Sequence, residues 1–307
     1  MVDLSVKIGS LKLKNPVLTA SGTFGYGRDY DDYLNIDQLG GIVTKTITLK
    51  PREGNPMPRI AETPAGMLNS IGLSNVGVDA YLAEKLPKLK KIDTAVIANV
   101  AGETLEEYGK IVRLIQAHPR IDGIEINISC PNVNQGGIAF GTDPEIIAQL
   151  VRIVRQETEK PIIIKLTPNV TDISEVALAA QESGADAVSC MNTLRGMGID
   201  IDTKRPLLHN IVGGLSGPAV KPVALAKVYD TVQALRIPVI GIGGIMTWKD
   251  AVEFFLAGAT AIQVGTLNFV DPSGSIKIIN GLKSYCMEKQ IDKITDLIGG
   301  MIESAKF

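Results

Sequence analysis

The pattern of apolar and polar positions divides the chain into short segments of two alternating kinds. Eight short runs rich in Val, Ile and Ala are apolar at consecutive positions, which is typical of strands buried on both faces. Most are followed by stretches in which apolar residues recur every three or four positions, the spacing of an amphipathic helix. The predicted strands are Val17–Ser21, Gly41–Thr46, Ala95–Val100, Gly123–Ser129, Pro161–Leu166, Ala187–Asn192, Val239–Gly244 and Ala261–Thr266. The clearest predicted helices are Glu103–Ala117, Asp143–Glu157, Asp172–Ser183, Pro218–Leu235 and Thr247–Ala257.

The alternation of buried strands with helices predicts an α/β fold whose parallel sheet is covered on all sides. Eight strand–helix units in about 250 residues fit a closed (β/α)8 TIM barrel better than an open sheet. Before the first unit, Leu4–Lys14 alternates apolar and polar residues around Gly9 and Ser10. This segment predicts an N-terminal β-hairpin that closes the bottom of the barrel.

Two long insertions interrupt the regular spacing, one at about residues 47–94 after the second strand and one at about 193–217 after the sixth. Insertions of this length usually cover or line a binding site, so we expect two long active-site loops. The sequence contains no linker, internal repeat or low-complexity tract. It therefore predicts a single domain over residues 1–307.

The charge and the cysteine content of the chain indicate which partners and which cellular compartment to expect. The formal net charge is −2, and the longest basic cluster is Lys88, Lys90 and Lys91, so nucleic acid is not expected as a partner. No apolar run approaches the roughly 20 residues that span a bilayer, and the first residues lack the features of a signal peptide. Three widely spaced cysteines are typical of a reducing compartment and cannot form a four-cysteine iron–sulfur site. We therefore expect a cytoplasmic protein that does not bind a membrane.

Functional residue types follow the predicted strands at their carboxyl ends, which is where TIM barrels carry their active sites. A single such residue is usually a solvated cap, but a purely structural barrel has no need of lysines, asparagines and a cysteine on one rim. These residues are Ser21, Lys45, Thr46, Asn99, Asn127, Cys130, Lys165, Met191, Asn192, Gly243, Gly244, Gly265 and Thr266. Their convergence predicts a functional site.

Glycines end the seventh and eighth strands, at Gly243-Gly244 and Gly265, where this fold commonly binds phosphate. Glycine lets backbone N–H groups approach a phosphate closely, and a following helix N-terminus favours the anion. Tight strand-to-helix turns also require glycine. This alternative readily explains glycine at the end of one strand, but it explains glycines at the ends of two adjacent strands less well. Met246 stands where a dinucleotide fingerprint needs its third glycine, and the sequence has no nucleoside triphosphate motif.

Lys45 and Lys165 lie inside apolar segments, and a buried cation needs an anionic partner or a function. The residues alone leave two functions open. One is to stabilise the negative charge of a reduced flavin, and the other is to form a Schiff base.

A thiol base is the second chemical candidate. Cys130 ends the fourth strand, where it is either a general base or a small buried hydrophobe. We assign Cys190 and Cys286 to buried hydrophobic positions. His118 and His209 do not lie at strand ends, so an imidazole base is not expected, which favours Cys130.

Four segments together resemble the class 1 dihydroorotate dehydrogenases. They are Gly-Asn-Pro-Met-Pro-Arg at 54–59, Asn-Ser-Ile-Gly-Leu-Ser-Asn at 69–75, Asn-Ile-Ser-Cys-Pro-Asn at 127–132 and Gly-Ile-Gly-Gly-Ile at 241–245. The resemblance extends over essentially the whole chain. The membrane-associated class of these enzymes is disfavoured, because it uses serine as its base and carries an N-terminal extension. Residues 61–67, Ala-Glu-Thr-Pro-Ala-Gly-Met, look like the NAD-linked class 1B branch rather than the fumarate-using branch.

Carried over position by position, the resemblance implies one FMN and one dihydroorotate at the strand ends. The residues implied to hold FMN are Ser21, Lys45, Thr46, Asn99, Asn127, Lys165, Met191, Gly217, Gly243, Gly244, Gly265 and Thr266. The residues implied to hold the substrate are Lys45, Asn69, Ser70, Ile71, Gly72, Leu73, Asn127, Asn132, Asn192 and Thr193. Side-chain amides suit dihydroorotate, because they offer donors and an acceptor to its ring N–H, carbonyl and carboxylate groups.

The resemblance also implies a mechanism and a partner. Cys130 would remove the proton at C5 while a hydride leaves C6 for flavin N5, and Lys165 would offset charge at the flavin N1–O2 side. The product would be orotate, in pyrimidine biosynthesis. Electrons would pass through a second subunit bearing FAD and a [2Fe–2S] cluster to NAD, in a heterotetramer built on a homodimer of this chain.

Three other functions are compatible with the sequence. The nearest is a fumarate-dependent class 1A dihydroorotate dehydrogenase, which would share the site but not the electron acceptor. The second is a flavin barrel acting on another pyrimidine, such as a tRNA dihydrouridine synthase, and the lack of basic patches counts against it. The third is a cofactor-free, phosphate-binding barrel that uses Lys45 or Lys165 as a Schiff-base lyase.

Overall fold

The computed structural model describes residues 2–129 and 140–302. Its strands are β1 (Val6–Ile8), β2 (Leu11–Leu13), β3 (Val17–Thr19), β4 (Gly41–Val43), β5 (Ile60–Thr63), β6 (Gly66–Asn69), β7 (Ala95–Val100), β8 (Gly123–Asn127), β9 (Ile162–Lys165), β10 (Ala187–Cys190), β11 (Leu194–Met197), β12 (Ile199–Asp200), β13 (Arg205–Pro206), β14 (Val212–Ser216), β15 (Val239–Ile242) and β16 (Ala261–Val264). Its helices are α1 (Gly77–Ala80), α2 (Leu105–Gln116), α3 (Pro144–Glu157), α4 (Ile173–Glu182), α5 (Lys221–Ala234), α6 (Trp248–Leu256), α7 (Leu267–Val270) and α8 (Gly274–Glu288). Short 3-10 turns lie at Ile36–Gln38, Leu86–Leu89, Phe140–Thr142, Pro218–Val220 and Ile294–Leu297, and a π-helical turn lies at Tyr81–Lys85.

Eight parallel strands close into a barrel in the order β3-β4-β7-β8-β9-β10-β15-β16, with β16 paired back to β3. They are the strands that the apolar runs predicted, so the (β/α)8 TIM barrel is confirmed. Most end a few residues before the predicted position, because the apolar run continues into the turn that leaves the barrel.

The predicted N-terminal hairpin is also present, with β1 antiparallel to β2 and Val6 opposite Leu13. Gly9 lies against Asp186, just before β10, and Leu11 lies beside Gly123 at the start of β8. The hairpin therefore packs at the amino-terminal end of the strands, opposite the barrel mouth.

The helices that surround the barrel begin where the sequence provides capping side chains. Thr104, Asp143 and Asp172 each accept a hydrogen bond from a backbone N–H in the first turn of α2, α3 and α4. Thr247 and Asp250 form a reciprocal capping box at the start of α6. The predicted helix over 218–235 is divided into a 3-10 turn and α5. Among the described helices, none is long and apolar enough to cross a membrane.

The two long insertions form one antiparallel sheet rather than two separate loops. Strands β5 and β6 come from the first insertion, β11 and β14 come from the second, and the order is β11-β14-β6-β5. Asn69 lies opposite Gly214 in this sheet, and its amide Nδ2 donates to the Gly214 carbonyl oxygen at 3.2 Å. The expected active-site loops are therefore present, but they are hydrogen-bonded to each other across the barrel mouth.

Candidate functional site

A cavity of about 360 Å³ opens at the carboxyl ends of the barrel strands and is bounded on its outer side by the sheet of the two insertions. Volumes of this order are typical of small-ligand sites. The predicted site residues that line it are Ser21, Lys45, Thr46, Asn69, Ile71, Leu73, Asn127, Lys165, Met191, Asn192, Thr193, Gly217, Gly243, Gly244, Gly265 and Thr266. The structure thus brings most of the predicted site residues to one cavity.

The remaining predicted residues lie elsewhere. Asn99 is fully buried in β7 and does not belong to the cavity lining. Ser70 has a buried hydroxyl without a hydrogen-bond partner among the described residues, and Gly72 packs against Asn55. Cys130 and Asn132 lie outside the described residues, so their roles stay predictions.

Lys165 places a cation on the inner wall of the cavity. It is the last residue of β9, and its side chain is only 7% exposed. Its Nζ donates a hydrogen bond to Ser21 Oγ at 3.1 Å and lies 3.9 Å from Oε1 of the buried Glu125. The buried lysine expected from the sequence is thus confirmed as buried, and its charge has an acidic neighbour inside the barrel.

Lys45 and Arg59 supply further positive charge to the cavity lining. Burial lowers the pKa of Lys45 below that of a free lysine, the nearby Arg59 guanidinium lowers it further, and Asp29 opposes both effects. Arg59 Nη1 donates to the Glu53 carbonyl oxygen at 3.2 Å, which holds the guanidinium at the cavity. Arg59 closes one of the segments that carried the family resemblance, but the sequence did not identify it as a site residue. Because none of the described lining residues has an acidic side chain, this part of the cavity suits an anion.

Amide side chains form a connected group beside Lys165, since Asn127 at the end of β8 pairs with Lys165 at the end of β9. Asn192 Nδ2 donates to Asn127 Oδ1 at 3.2 Å and to Ser129 Oγ at 2.8 Å. Asn192 Oδ1 in turn accepts from the Thr193 backbone N–H at 2.8 Å, and Asn127 Oδ1 also accepts from the Ser129 backbone N–H at 3.2 Å. These contacts fix the orientation of the two amides, so that they offer directed donors and acceptors to a ligand.

The glycines at the ends of β15 and β16 are explained by different features of the structure. Gly243 and Gly244 have φ values of 133° and 70°, and a Cβ at either would lie 2.6–2.7 Å from atoms of α5. Close packing of the turn against α5 therefore accounts for this pair. At Gly265, by contrast, the nearest atom to an added Cβ is Ala20 Cβ at 3.6 Å. The fold leaves room for a side chain at Gly265, so a ligand that approaches the backbone is a reason for glycine at this position.

A layer of polar side chains lies in the barrel interior below the cavity, and sequence reasoning missed most of it. Glu125, Ser189 and Gln263 come from alternate strands of the barrel, as in the side-chain layers of TIM barrels, and all three are fully buried. The available signal was a charged residue within the apolar run Gly-Ile-Glu-Ile-Asn at 123–127. The same signal identified Lys165.

The other ionisable candidates take the positions expected for them. Cys190 and Cys286 are fully buried, and burial raises the pKa of the Cys190 thiol to about 12. Both cysteines are therefore confirmed as buried hydrophobic positions. His118 and His209 do not line the cavity.

Comparison with known proteins agrees with the family resemblance of the four sequence segments. The family model described as "Dihydroorotate dehydrogenase" matches residues 3–286. A relative from Geotalea daltonii named "Dihydroorotate dehydrogenase B (NAD(+)), catalytic subunit" is 56% identical, with 97% of this chain and 98% of the relative covered. Relatives with the same name from Thermoanaerobacter sp. (strain X514) and Bacteroides thetaiotaomicron are each 53% identical, with 98% of this chain and 99% of the relative covered. These names agree with the NAD-linked branch expected from residues 61–67.

Proposed function

Because the chain belongs to the dihydroorotate dehydrogenase family, we propose that its barrel cavity oxidises dihydroorotate to orotate, as an NAD-linked catalytic subunit of pyrimidine biosynthesis. The observation that carries this proposal is the composition of the cavity. Lys45, Arg59 and Lys165 line it together with asparagine amides, and the part of the lining that the structure describes has no acidic side chain. A carboxylated pyrimidine and a phosphorylated cofactor are both anions that such a cavity binds favourably.

The cavity residues fit FMN. Gly265 leaves space for close backbone approach, Lys165 supplies a buried cation, and the Oε1 of Gln263 is buried without a partner among the described residues. The residues of the lining that would hold FMN are Ser21, Lys45, Thr46, Asn127, Lys165, Met191, Gly217, Gly243, Gly244, Gly265 and Thr266. Asn99 lies below this lining and would contribute its Oδ1, which is buried without a partner among the described residues. When bound, FMN would supply the hydride acceptor that amino-acid side chains lack.

The substrate would lie between the cationic residues and the amides. Lys45 and Arg59 would bind the dihydroorotate carboxylate, and the amides of Asn69, Asn127 and Asn192 would bind its ring. The insertion sheet would limit access of water to this region, because β6 and β14 lie across the barrel mouth. Cys130, outside the described residues, would remove the proton at C5, and Asn132 would add a further amide.

A matched pair of glycine variants tests the cofactor proposal. Gly265→Ala should fold normally, because the nearest atom is 3.6 Å from the added Cβ, but it should weaken FMN binding by about tenfold or more if the methyl group overlaps the cofactor. Gly123→Ala is the control, because its Cβ also meets its nearest atoms at 3.6 Å but lies at the opposite end of the barrel. Equal FMN affinity in the two variants and the wild type, or purification with FAD instead of FMN, would contradict the proposal.

The electron acceptor is the second part of the proposal. The relatives are named catalytic subunits, which supports a partner, and we propose that this partner carries FAD and a [2Fe–2S] cluster and reduces NAD. We further propose a homodimer within a heterotetramer, a cytoplasmic location and a single-domain chain. Mixing dihydroorotate with the isolated chain should bleach the flavin absorbance, and NAD should barely restore it until the partner is added. Rapid reoxidation by NAD alone would refute the two-subunit arrangement, and rapid, saturable reoxidation by fumarate would indicate the class 1A branch.

A further inference from the structure

Glu125 lies directly below the cavity, at the centre of a hydrogen-bond network inside the barrel. Its Oε1 accepts from Asn99 Nδ2 at 2.6 Å. Its Oε2 accepts from Gln263 Nε2 at 2.5 Å and from Ser189 Oγ at 2.9 Å. The side chain is 0% exposed, and a carboxylate is tolerated at such depth only when its oxygens are paired in this way.

This carboxylate fixes which way two amides face. Asn99 and Gln263 both donate their NH2 groups to Glu125, so their carbonyl oxygens point away from it. Both carbonyl oxygens are buried without a hydrogen-bond partner among the described residues. A buried acceptor without a donor is costly. Because Gln263 lines the cavity, a bound ligand can supply the donor that its carbonyl oxygen lacks.

The same carboxylate places a donor beside that acceptor. The Lys165 ammonium lies 3.9 Å from Glu125 Oε1 and also lines the cavity. Lys165 Nζ and Gln263 Nε2 lie at the two oxygens of one Glu125 carboxyl group, so the cavity floor carries a hydrogen-bond donor and an unpaired acceptor that share this anchor. This pair complements a ring edge in which a carbonyl oxygen stands next to an N–H, as in the imide of a flavin.

We propose that Glu125 is a positioning residue, which fixes the Gln263 carbonyl oxygen as the acceptor for the N3–H of the bound flavin, with Lys165 as the donor to the neighbouring O2 oxygen. The inference rests on the proposed function, since it takes the ligand to be FMN. Glu125 acts through Gln263 and Lys165 and does not itself touch the ligand.

The test compares the binding of FMN with that of 3-methyl-FMN, in which a methyl group replaces the N3 hydrogen. Flavin-free protein is titrated with each compound, and the dissociation constants are measured from flavin fluorescence. The wild type should bind 3-methyl-FMN at least about tenfold more weakly than FMN, because the Gln263 carbonyl loses its donor. In Glu125→Gln the Gln263 amide can turn over, and in Gln263→Met the acceptor is gone, so both variants should discriminate much less. Ser189→Ala is the matched control, because it removes one donor to Glu125 but leaves both amides in place, and it should discriminate as the wild type does.

The outcomes separate this inference from the function on which it rests. If Glu125→Gln binds FMN but discriminates as well as the wild type, Glu125 does not position Gln263. Should Glu125→Gln not fold, unchanged discrimination in Gln263→Met overturns the inference instead, since methionine is close in size and the methyl group of the ligand would meet a similar surface. A wild type that binds FMN without discrimination overturns only this inference, whereas a wild type that binds neither flavin overturns the proposed cofactor as well.

Discussion

The pairing of the two insertions can be tested at Gly213, whose lack of a side chain allows β14 to lie against β6. A Cβ at Gly213 would lie 2.4 Å from the Asn69 carbonyl oxygen and 2.5 Å from Leu208 Cδ1. Comfortable contacts between such atoms need about 3.5 Å, so Gly213→Ala requires a displacement of about 1 Å. Asn69 is part of the proposed substrate site, and its displacement should therefore also weaken orotate binding.

The expected size of the effect follows from this overlap. Forcing an extra methyl group into a packed site typically costs about 1–3 kcal/mol. If that cost falls on the insertion sheet, the opening of the sheet should become about 5–150 times more frequent. Hydrogen–deuterium exchange of peptides covering β6 and β14 measures this directly, and an orotate titration of the loaded protein measures the consequence for the site.

Gly123→Ala again provides the control, since its Cβ meets nothing closer than 3.6 Å. A glycine-to-alanine change without overlap should be neutral or stabilise by about 0.4–1 kcal/mol, because it restricts the unfolded chain. Wild-type exchange rates in β6 and β14 of Gly213→Ala would show that Gly213 does not lie in close contact with the Asn69 backbone.

Further predictions concern the ionisable groups. Burial lowers the pKa of Lys45 below 10.5, so Lys45 should lose its charge as the pH rises towards that value, and the orotate dissociation constant should increase with pH. Lys45→Arg stays charged and should lack this part of the pH dependence. Identical pH profiles for the variant and the wild type would exclude Lys45 as the titrating group. Cys130→Ala should retain bound flavin but slow flavin reduction by dihydroorotate by about 10²- to 10⁴-fold in stopped flow, whereas a near-normal rate would assign the base elsewhere. Cys190, buried and with its pKa raised to about 12, should resist iodoacetamide in the native protein and react after unfolding in urea, as judged by mass spectrometry; rapid native labelling would contradict its burial.

The barrel could be predicted from the sequence because each of its strands carries a local signal. A strand buried on both faces is apolar at every position, so β9, for example, reads as Pro-Ile-Ile-Ile-Lys-Leu over 161–166. The residues that then line the cavity follow from the barrel rule, since Lys165, Asn127 and Ser21 stand at strand ends. Strand ends were predicted less well, because the apolar run does not stop where the ladder of hydrogen bonds stops.

The insertion sheet could not be predicted, since its pairing is long-range and its sequence is unlike that of a strand. Asn69 pairs with a residue 145 positions away, and no local periodicity encodes that register. Strand β14 contains Gly213 and Gly214, which lower strand propensity. Only the structure shows that these glycines permit close approach, at Gly213 to the Asn69 backbone and at Gly214 to the Thr193 side chain.

The sequence identified Lys165 but not its counter-ion, Glu125. This pair affects where in the cavity an anionic ligand binds most favourably. Lys165 already has an acidic neighbour in Glu125, 3.9 Å away, so its charge is balanced by the protein before any ligand binds. Among the described residues that line the cavity, Lys45 has no such acidic neighbour. Burial and Arg59 lower its pKa, and Asp29 only partly offsets them. An anionic ligand beside Lys45 and Arg59 would offset the repulsion between these two cations. The same ligand would be stabilised less beside Lys165, which is already paired with Glu125. We therefore infer that the carboxylate of orotate binds at Lys45 and Arg59, and that Lys165 serves as a fixed hydrogen-bond donor to a ring.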